Sequence, residues 1–404
     1  MINRRELLVG MGAATASAAL GDLRAASPAG TSLPRKHDFA IPPGHTYLNC
    51  AYIHPMPLGA LEAVRRNAES LASSGQQRKI GDVKAEFAAL INAKPSEISF
   101  VPNTSTGENL VVNGLGIPGN DGNVVTDALH FEGALIHLYE LQRRGLDLRV
   151  VMPRDWRIDL RDIEQAVDRK TRLIEISLVA MYNGFQHDLK AVCDLAHAHG
   201  AYVYADIAQA AGCVPIDVRA SGVDFCACSS FKWLMGDFGY GFLFAREELL
   251  ERVVQRSQYG YPGTGEMATH FLPYDSPGSA PYTWTFRPDA AALFEVGSSG
   301  GSGRAALEFS LPFLGQLGIE NIQAHRQPLL RRLHNEMPRL GFEPVTPPET
   351  TSALISFAVK DTAPTRERLT RANINARVGD HFIRLSPSIF NDMADIERLL
   401  AALS

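Results

Sequence analysis

Short apolar runs alternate with helical stretches between residues 97 and 206, and this alternation is the strongest constraint on how the chain can fold. The pattern predicts helices near 106–115, 132–145, 159–168 and 188–199, and strands at 97–101, 123–126, 148–152, 172–179 and 201–206. Strands that are separated by helices of this length favour a mainly parallel sheet with helices on both faces. A sheet of that kind binds its ligand at the carboxyl ends of the strands.

The pattern changes after about residue 245. Residues 256–290 contain YGYPGTG and SPGSAPYTW, and this Gly-, Pro- and Ser-rich composition predicts an irregular loop. Long helices follow up to residue 340, and the arginines of HRQPLLRRLHNE (325–336) predict a solvated helix face. The last part of the chain predicts strands and a closing helix, at 351–359, 374–378, 381–386 and 392–403.

These patterns predict two domains behind an N-terminal segment. We expect the segment over residues 31–58, a large domain over residues 59–295 and a smaller α+β domain over residues 296–404. The chain of 404 residues is long enough for two cores of that size.

The N-terminus has the features of an export signal. Arg4 and Arg5 precede an uncharged stretch, Leu7 to Gly21, which is too short to be a stable membrane anchor. The arginine pair resembles a twin-arginine signal, which implies removal of residues 1–30, transport by the twin-arginine translocation machinery and a periplasmic protein. The alternative is an amphipathic N-terminal helix on a cytoplasmic protein.

Charge and cysteine usage exclude several classes of protein. The net charge is −5 and no basic block is present, so we expect no nucleic-acid partner. The cysteines are an odd and scattered set without a CxxC pair, so they predict neither a disulfide framework nor a metal site: Cys50, Cys193, Cys213, Cys226 and Cys228.

A single lysine lies within the sequence CSSFKWLMG (228–236). Because burying an unpaired charge is costly, Lys232 is either a solvated surface group or a lysine with a lowered pKa or a covalent function. Asp206 ends an apolar strand 26 residues earlier, where an α/β protein holds ligand-facing groups. A lysine and a carboxylate at strand ends can reach opposite ends of one flat cofactor, and pyridoxal phosphate (PLP) needs that pair.

The sequence NTSTGEN (103–109) joins a predicted strand to a predicted helix. Backbone N–H groups at a helix N-terminus, together with the hydroxyls of Thr104 and Ser105, form a site for an anion such as phosphate. An ordinary helix cap is the alternative interpretation.

The sequence DFCACSSFKWLMGDFGYGFLF (224–244), with YADIAQAAG before it, resembles the lysine signature of class V aminotransferases, which are PLP-dependent enzymes of fold type I. The resemblance implies an α/β fold, with a mainly parallel seven-stranded sheet in the large domain and a smaller α+β C-terminal domain. It implies that Lys232 anchors the cofactor, that Asp206 contacts the ring nitrogen and that Gln209 contacts the cofactor too. Phe231 stands where the family often has histidine, which leaves Ser229 or Ser230 to hold the phosphate.

The same resemblance implies a phosphate site that is completed by a second subunit. Thr104 and Ser105 occupy positions that bind the phosphate. Ser298 or Ser299 lies in the glycine-rich sequence GSSGGSG (297–303), which resembles a segment that the family lends to the neighbouring subunit. A homodimer is therefore implied.

Residues around the substrate are implied in the same way. One of His130 and Phe131 stacks on the cofactor ring. Arg384 grips a substrate carboxylate, because its fork of N–H groups matches a carboxylate. The N-terminal segment lies over the active site, with Asn49 and His54 at its entrance.

The cysteines also constrain the reaction. A cysteine desulfurase takes sulfur from its substrate with a mobile cysteine, and no cysteine lies beyond Cys228, so that mechanism lacks its nucleophile. We expect an enzyme that acts at Cα or Cβ of an amino acid or an amino-acid moiety, by epimerisation, elimination or transamination. The alternatives are a cysteine desulfurase-like or selenocysteine lyase-like enzyme, and a non-catalytic binding protein of the same fold. Exported members of the family tailor peptide siderophores, which implies natural-product tailoring as the context.

Overall fold

The molecule is built on one large and one small β-sheet. The computed structural model describes residues 32–117, 119, 122–250 and 252–404, and residues 33–404 form one unit. The expected signal peptide lies outside the described residues. Within those residues, no helix is long and apolar enough to cross a membrane. The domain boundaries after residues 58 and 295 stay predictions.

Seven strands form the large sheet, in the spatial order Ile98–Val101, Gly241–Ala245, Phe225–Ser229, Tyr202–Asp206, Thr171–Ser177, Asn123–Asp127 and Asp147–Val151. Gly241–Ala245 is antiparallel to both of its neighbours, and the other neighbouring pairs are parallel. The fold class that the resemblance implied is therefore confirmed. The apolar pattern did not predict Gly241–Ala245, because glycines interrupt the run FGYGFLF.

Helices cover both faces of this sheet because side chains alternate along each strand. On the strand Thr171–Ser177, Ile174 and Ile176 pack into one core, and Leu173 packs into the other. The first core is covered by Val83–Leu90, Leu160–Ala166, Leu189–Ala198 and Gly301–Leu317, and the last of these packs against Leu58–Ser74. The second core is covered by Thr104–Gly114, Glu132–Arg143 and Ala290–Phe294. A short helix, Val218–Ser221, completes this part.

The small sheet is antiparallel, with the order Glu343–Pro344, Ile355–Ala358, Phe382–Leu385 and Arg377–Val378. Its helices are Ile319–Glu336, Ala363–Arg371 and Met393–Leu403. This arrangement confirms the expected α+β character. The N-terminal segment is tied to this region, because Thr46–Tyr47 pairs in parallel with Ile374–Asn375.

The prediction of an irregular loop over residues 256–290 is wrong. Thr264–Thr269 and Tyr282–Phe286 pair as an antiparallel hairpin. Tyr282, Trp284 and Phe286 are aromatic residues of high β propensity, and that preference outweighs the surrounding glycines and prolines. The hairpin exposes these side chains instead of packing them into a core.

The prediction of a fully solvated arginine face over residues 325–336 is wrong for Arg326. Its side chain is completely buried, donates a hydrogen bond to the carbonyl of Cys213, and lies with its guanidinium carbon 5.5 Å from the centre of the Trp233 ring. Helical spacing alone does not reveal this, because the partners are more than 90 residues away along the chain.

A glycine allows the segment that carries Lys232 to pack closely. Gly212 has a φ of +95°, and a Cβ atom there would lie 2.4 Å from the carbonyl oxygen of Trp233. A larger residue would displace the backbone next to Lys232. Gly212 therefore helps to set the position of that lysine relative to the sheet.

Candidate active site

Lys232 follows the strand Phe225–Ser229 at the carboxyl end of the parallel sheet, and its side chain is partly buried. Its Nζ lies 5.8 Å from the centre of the Phe131 ring and 6.0 Å from that of Phe231. Burial lowers the pKa of Lys232. The carboxylate of Asp206 partly opposes this shift, and the positive charge of Arg384 adds to it. Lys232 is thus the partly buried lysine that the sequence predicted as one alternative.

Asp206 ends the strand Tyr202–Asp206 and is buried. Its Oδ1 accepts a hydrogen bond of 2.8 Å from the N–H of Ala208, which fixes the orientation of the carboxylate. Three residues later, the Gln209 amide donates to the carbonyl of Ala51 and accepts from the Trp233 ring N–H, both at 2.9 Å. The structure therefore places Gln209 between the N-terminal segment and the lysine loop, and a cofactor contact would use its remaining N–H.

The hydroxyls of Thr104 and Ser229 form a pair at the start of the helix Thr104–Gly114. Their oxygens are 3.0 Å apart, and the N–H of Thr104 donates to Ser229 Oγ. Ser105 follows and is partly exposed. The Asn103 side chain caps the helix by accepting from the N–H of Thr106 at 2.8 Å. This is both a capped helix start and a group of donors that fits a phosphate.

The two ring candidates lie in different surroundings. His130 is completely buried, with Nδ1 2.8 Å from Ser177 Oγ and Nε2 3.5 Å from Glu175 Oε1. Phe131 is partly exposed and faces Lys232. Of the two rings, Phe131 is the one that faces Lys232, and the stacking of either ring on a cofactor stays a prediction.

Arg384 lies on the small sheet and is buried. Its Nη1 donates to the carbonyl of Met181 at 2.7 Å, and its Nε is buried with no acceptor among the residues that the structure describes. Burial lowers the pKa of Arg384 to about 10, and Arg377 on the adjacent strand acts in the same direction. A buried guanidinium with a free donor fits an incoming carboxylate.

The two entrance residues differ. Asn49 lines a cavity of about 840 Å³ together with Tyr52, which is exposed. His54 is buried, with Nδ1 2.7 Å from the carbonyl of Pro55 and Nε2 2.7 Å from Ser388 Oγ. Burial lowers the pKa of His54 to about 4. A substrate contact by His54 would require these bonds to break.

Ser298 and Ser299 are exposed in the segment before the helix Gly301–Leu317. The Ser298 hydroxyl lies 2.7 Å from that of Tyr261. The exposed position leaves both serines accessible to a second molecule.

These residues fit PLP as the resemblance implies. Lys232 offers an amine of lowered pKa, Asp206 a fixed carboxylate, the Thr104–Ser229 pair hydroxyls that suit a phosphate, and Phe131 an adjacent ring. Within the described residues, no group of three or more His, Cys, Asp or Glu side chains could hold a metal ion.

One part of the site was missed by the sequence analysis. The Tyr182 hydroxyl donates to Glu132 Oε2 at 2.7 Å, and the charge of Glu132 acts on both Lys232 and Arg384. In the sequence, only the position of Glu132 directly after Phe131 indicated that Glu132 lies near the site. Its partners lie 50 and more residues away, so spacing could not reveal the contact.

We predict that Lys232 is acetylated at lower pH than an ordinary surface lysine. A lowered pKa leaves more of the amine neutral at a given pH, whereas the bond to Asp194 raises the pKa of Lys190. Mass spectrometry of the full cofactor-free chain, acetylated across a pH series, measures both lysines in one sample. Identical pH profiles for the two lysines would show that Lys232 behaves as a solvated group.

Comparisons of sequence place the chain among known proteins. The chain matches the Aminotransferase class-V family over residues 61–399. It is 29% identical to a probable cysteine desulfurase of Methanothermobacter thermautotrophicus over 342 residues, which cover 81% of this chain and 82% of that protein. A cysteine desulfurase of Klebsiella pneumoniae is 29% identical over 362 residues, 84% of this chain and 85% of the relative.

Solved structures share the fold. The apo cysteine desulfurase from Thermococcus onnurineus NA1 matches with a TM-score of 0.79 at 21% identity, over 92% of this chain and 97% of the other. The cystine C-S lyase C-DES, solved in complex with its reaction product cysteine persulfide, matches with a TM-score of 0.76 at 21% identity, over 89% and 97%. Because the family match spans most of the sequence, the chain belongs to the class V aminotransferase family and is a PLP-dependent enzyme.

Proposed function

We propose that this enzyme removes the Cα proton of a sulfur-containing amino acid, or of such a moiety in a larger molecule, and then eliminates the sulfur group from Cβ. The observation that carries the proposal is that every cysteine of the described chain is buried. Beside it, the charges of Asp206 and Arg384 act on the partly buried Lys232. The site therefore has a base and a carboxylate-binding group, but no thiol that could receive sulfur.

In the proposed reaction, separate residues bind the substrate, remove its proton and contact the cofactor. Arg384 binds the α-carboxylate and so positions Cα. Lys232 takes the Cα proton at its Nζ, and its lowered pKa favours the neutral amine that acts as a base. Bound PLP supplies an electron sink for the electron pair that remains at Cα. With PLP bound, Asp206 would hold a proton at the ring nitrogen. As the electron pair forms a Cα–Cβ double bond, the Cβ–S bond breaks and the sulfur leaves with its electrons and takes up the proton from Lys232. Water then hydrolyses the released enamine to pyruvate and ammonia.

The cysteines argue against transfer of sulfur to the protein. Cys228 is near enough to influence the charge of Lys232, but it is completely buried, and burial strongly raises the pKa of its thiol. A thiol that stays protonated and unreachable is a poor nucleophile. Elimination needs no thiol on the enzyme, and this difference favours a lyase over a desulfurase.

The similar proteins support chemistry at sulfur. Their names describe a cysteine desulfurase and a cystine C-S lyase, and both act on a sulfur-containing amino acid. We infer a substrate of that chemical class for this chain.

We predict that the PLP-loaded full chain converts cysteine or cystine into pyruvate and ammonia, with release of sulfide or persulfide. Loss of the base in Lys232→Ala should lower the rate about 10²- to 10⁴-fold. Coupled detection of pyruvate, alanine and sulfide measures the products, and Lys190→Ala is the control because that lysine is exposed and paired with Asp194.

Three other results would contradict elimination. Alanine would indicate a desulfurase, and transfer of the amino group to a keto acid would indicate a transaminase. Incorporation of solvent deuterium at Cα without pyruvate would indicate an epimerase.

We infer that the protein is a homodimer whose interface includes the exposed hairpin of residues 264–286. The hairpin exposes large apolar side chains, and a patch of that kind usually marks an interaction surface: Met267, Phe271, Leu272, Tyr274, Tyr282, Trp284 and Phe286. Tyr261, which contacts Ser298, lies directly before the hairpin. A dimer formed here would bring the Ser298 segment to the partner subunit, as the family resemblance implies.

We predict that Trp284→Arg shifts the protein from dimer to monomer, because it places a charge in the apolar patch that the dimer would bury. Met152→Arg is the control, since Met152 is also exposed but follows the edge strand Asp147–Val151 of the large sheet and lies outside the hairpin. Analytical ultracentrifugation measures the state. A monomeric wild type that carries a full complement of PLP would contradict the dimer.

We propose that residues 1–30 direct export, as the pair Arg4 and Arg5 indicates. The twin-arginine route carries folded proteins, which suits an enzyme that must load a cytosolic cofactor first. Tailoring of an exported peptide or siderophore is the context that we infer.

We predict that the full chain fractionates with the periplasm and that the double variant Arg4→Lys and Arg5→Lys stays in the cytoplasm. Immunoblots of both fractions measure the distribution. A cytoplasmic location for both proteins would contradict export.

A further inference from the structure

Two buried glutamates lie beneath the site on the side of the sheet that faces Thr104 and Asp206. Glu108 is on the helix Thr104–Gly114, one turn after Thr104, and is 2% exposed. Glu175 is on the strand Thr171–Ser177, two residues before Ser177, and is 0% exposed. The mechanism proposed above uses neither carboxyl group.

The two carboxyl groups act on each other. The charge of Glu175 raises the pKa of Glu108, and the Glu108 side chain acts in turn on Glu175. Within the described residues, Glu175 Oε2 is buried without a hydrogen-bond partner. Two buried carboxylates that act on each other repel, and one proton shared between them removes the repulsion.

Histidines lie at both ends of the pair. His137, on the helix Glu132–Arg143, has Nδ1 2.7 Å from Glu108 Oε1, and its side chain is 17% exposed. His130 Nε2 is 3.5 Å from Glu175 Oε1, and its Nδ1 is 2.8 Å from Ser177 Oγ. The two histidines and the two glutamates therefore lie between the half-buried His137 and the strand end that carries Ser177.

This group of residues ends beside the proposed cofactor contacts. Ser177 lies opposite Asp206 in the sheet register, and Ser177 Oγ accepts from the N–H of Phe131 at 3.3 Å. The charge of Asp206 also acts on Glu175. A change of charge on the acid pair is therefore felt at the group that is proposed to contact the ring nitrogen.

Burial favours the protonated form of the pair near neutral pH. Burial raises the pKa of Glu108 to about 7 and that of Glu175 to about 8. The groups facing the pair are His137, His130 and, on the strand Tyr202–Asp206, Tyr204 and Asp206. Arg144 acts on His137, but no lysine or arginine within the described residues contacts either carboxyl group.

We propose that Glu108 and Glu175 share one exchangeable proton, that His137 exchanges it with solvent, and that the charge of the pair tunes the electrostatics of Asp206. Loss of the proton passes it from the carboxyl pair to the His137 imidazole and then to water, and leaves two negative charges where there was one. Both glutamates are thus positioning residues. The last part of the proposal, which concerns Asp206, rests on the proposed function.

Infrared spectroscopy of the full chain labelled with [¹³C]glutamate tests the shared proton directly. The wild type should show the carbonyl band of an un-ionised glutamic acid at neutral pH, with loss of that band as the pH rises. Glu175→Gln should abolish the band, because Glu108 is then left to pair with His137. Glu97→Gln is the matched control, since Glu97 is equally buried but is held by Arg219. Absence of the band from wild type, a result that needs no variant to fold, would overturn the proposal.

The visible absorbance of the PLP-loaded chain tests the link to Asp206. Glu175→Gln should shift the pH at which this spectrum changes, whereas Glu97→Gln should not. Identical pH dependence in wild type and Glu175→Gln would overturn that link. Failure of the chain to bind PLP would instead contradict the proposed function, and the infrared result would stand by itself.

Discussion

The site depends on parallel strands that end at the same edge of one sheet. Ser177 lies opposite Asp206, and Asp206 lies opposite Ala227, two residues before Ser229. Because the register aligns these ends, a carboxylate, two hydroxyls and the lysine that follows Ser229 converge although they come from three different strands. Every proposed role in catalysis depends on this alignment.

Exclusion of water gives these groups their chemistry. Burial is the largest influence on Lys232 and Arg384, whose pKa values it lowers, and on Glu108 and Glu175, whose pKa values it raises. The low dielectric that lowers the pKa of Lys232 also favours a proton on the acid pair below it. The two proposals therefore rest on one physical property of the site, the cost of a charge that has lost its water.

The chain combines a family fold with a restricted set of thiols. Its similar proteins include cysteine desulfurases, but its own cysteines are buried and the last of them, Cys228, precedes the lysine. A shared scaffold thus does not determine where the sulfur goes. The elimination that we propose retains the common steps of substrate binding and proton removal, and it omits only the step that needs an exposed thiol.

The sequence by itself determined the α/β class, the family and the placement of Asp206 and Lys232 at or just after strand ends, because these follow from local periodicity and one short motif. Only the tertiary structure decided that Phe131 faces the lysine while His130 is buried, that Arg326 and His54 lie inside, and that residues 264–286 form a hairpin. It alone brought Glu108 and Glu175 together, since they are 67 residues apart along the chain. Burial and contact depend on how distant segments pack, and a local sequence pattern does not predict that packing.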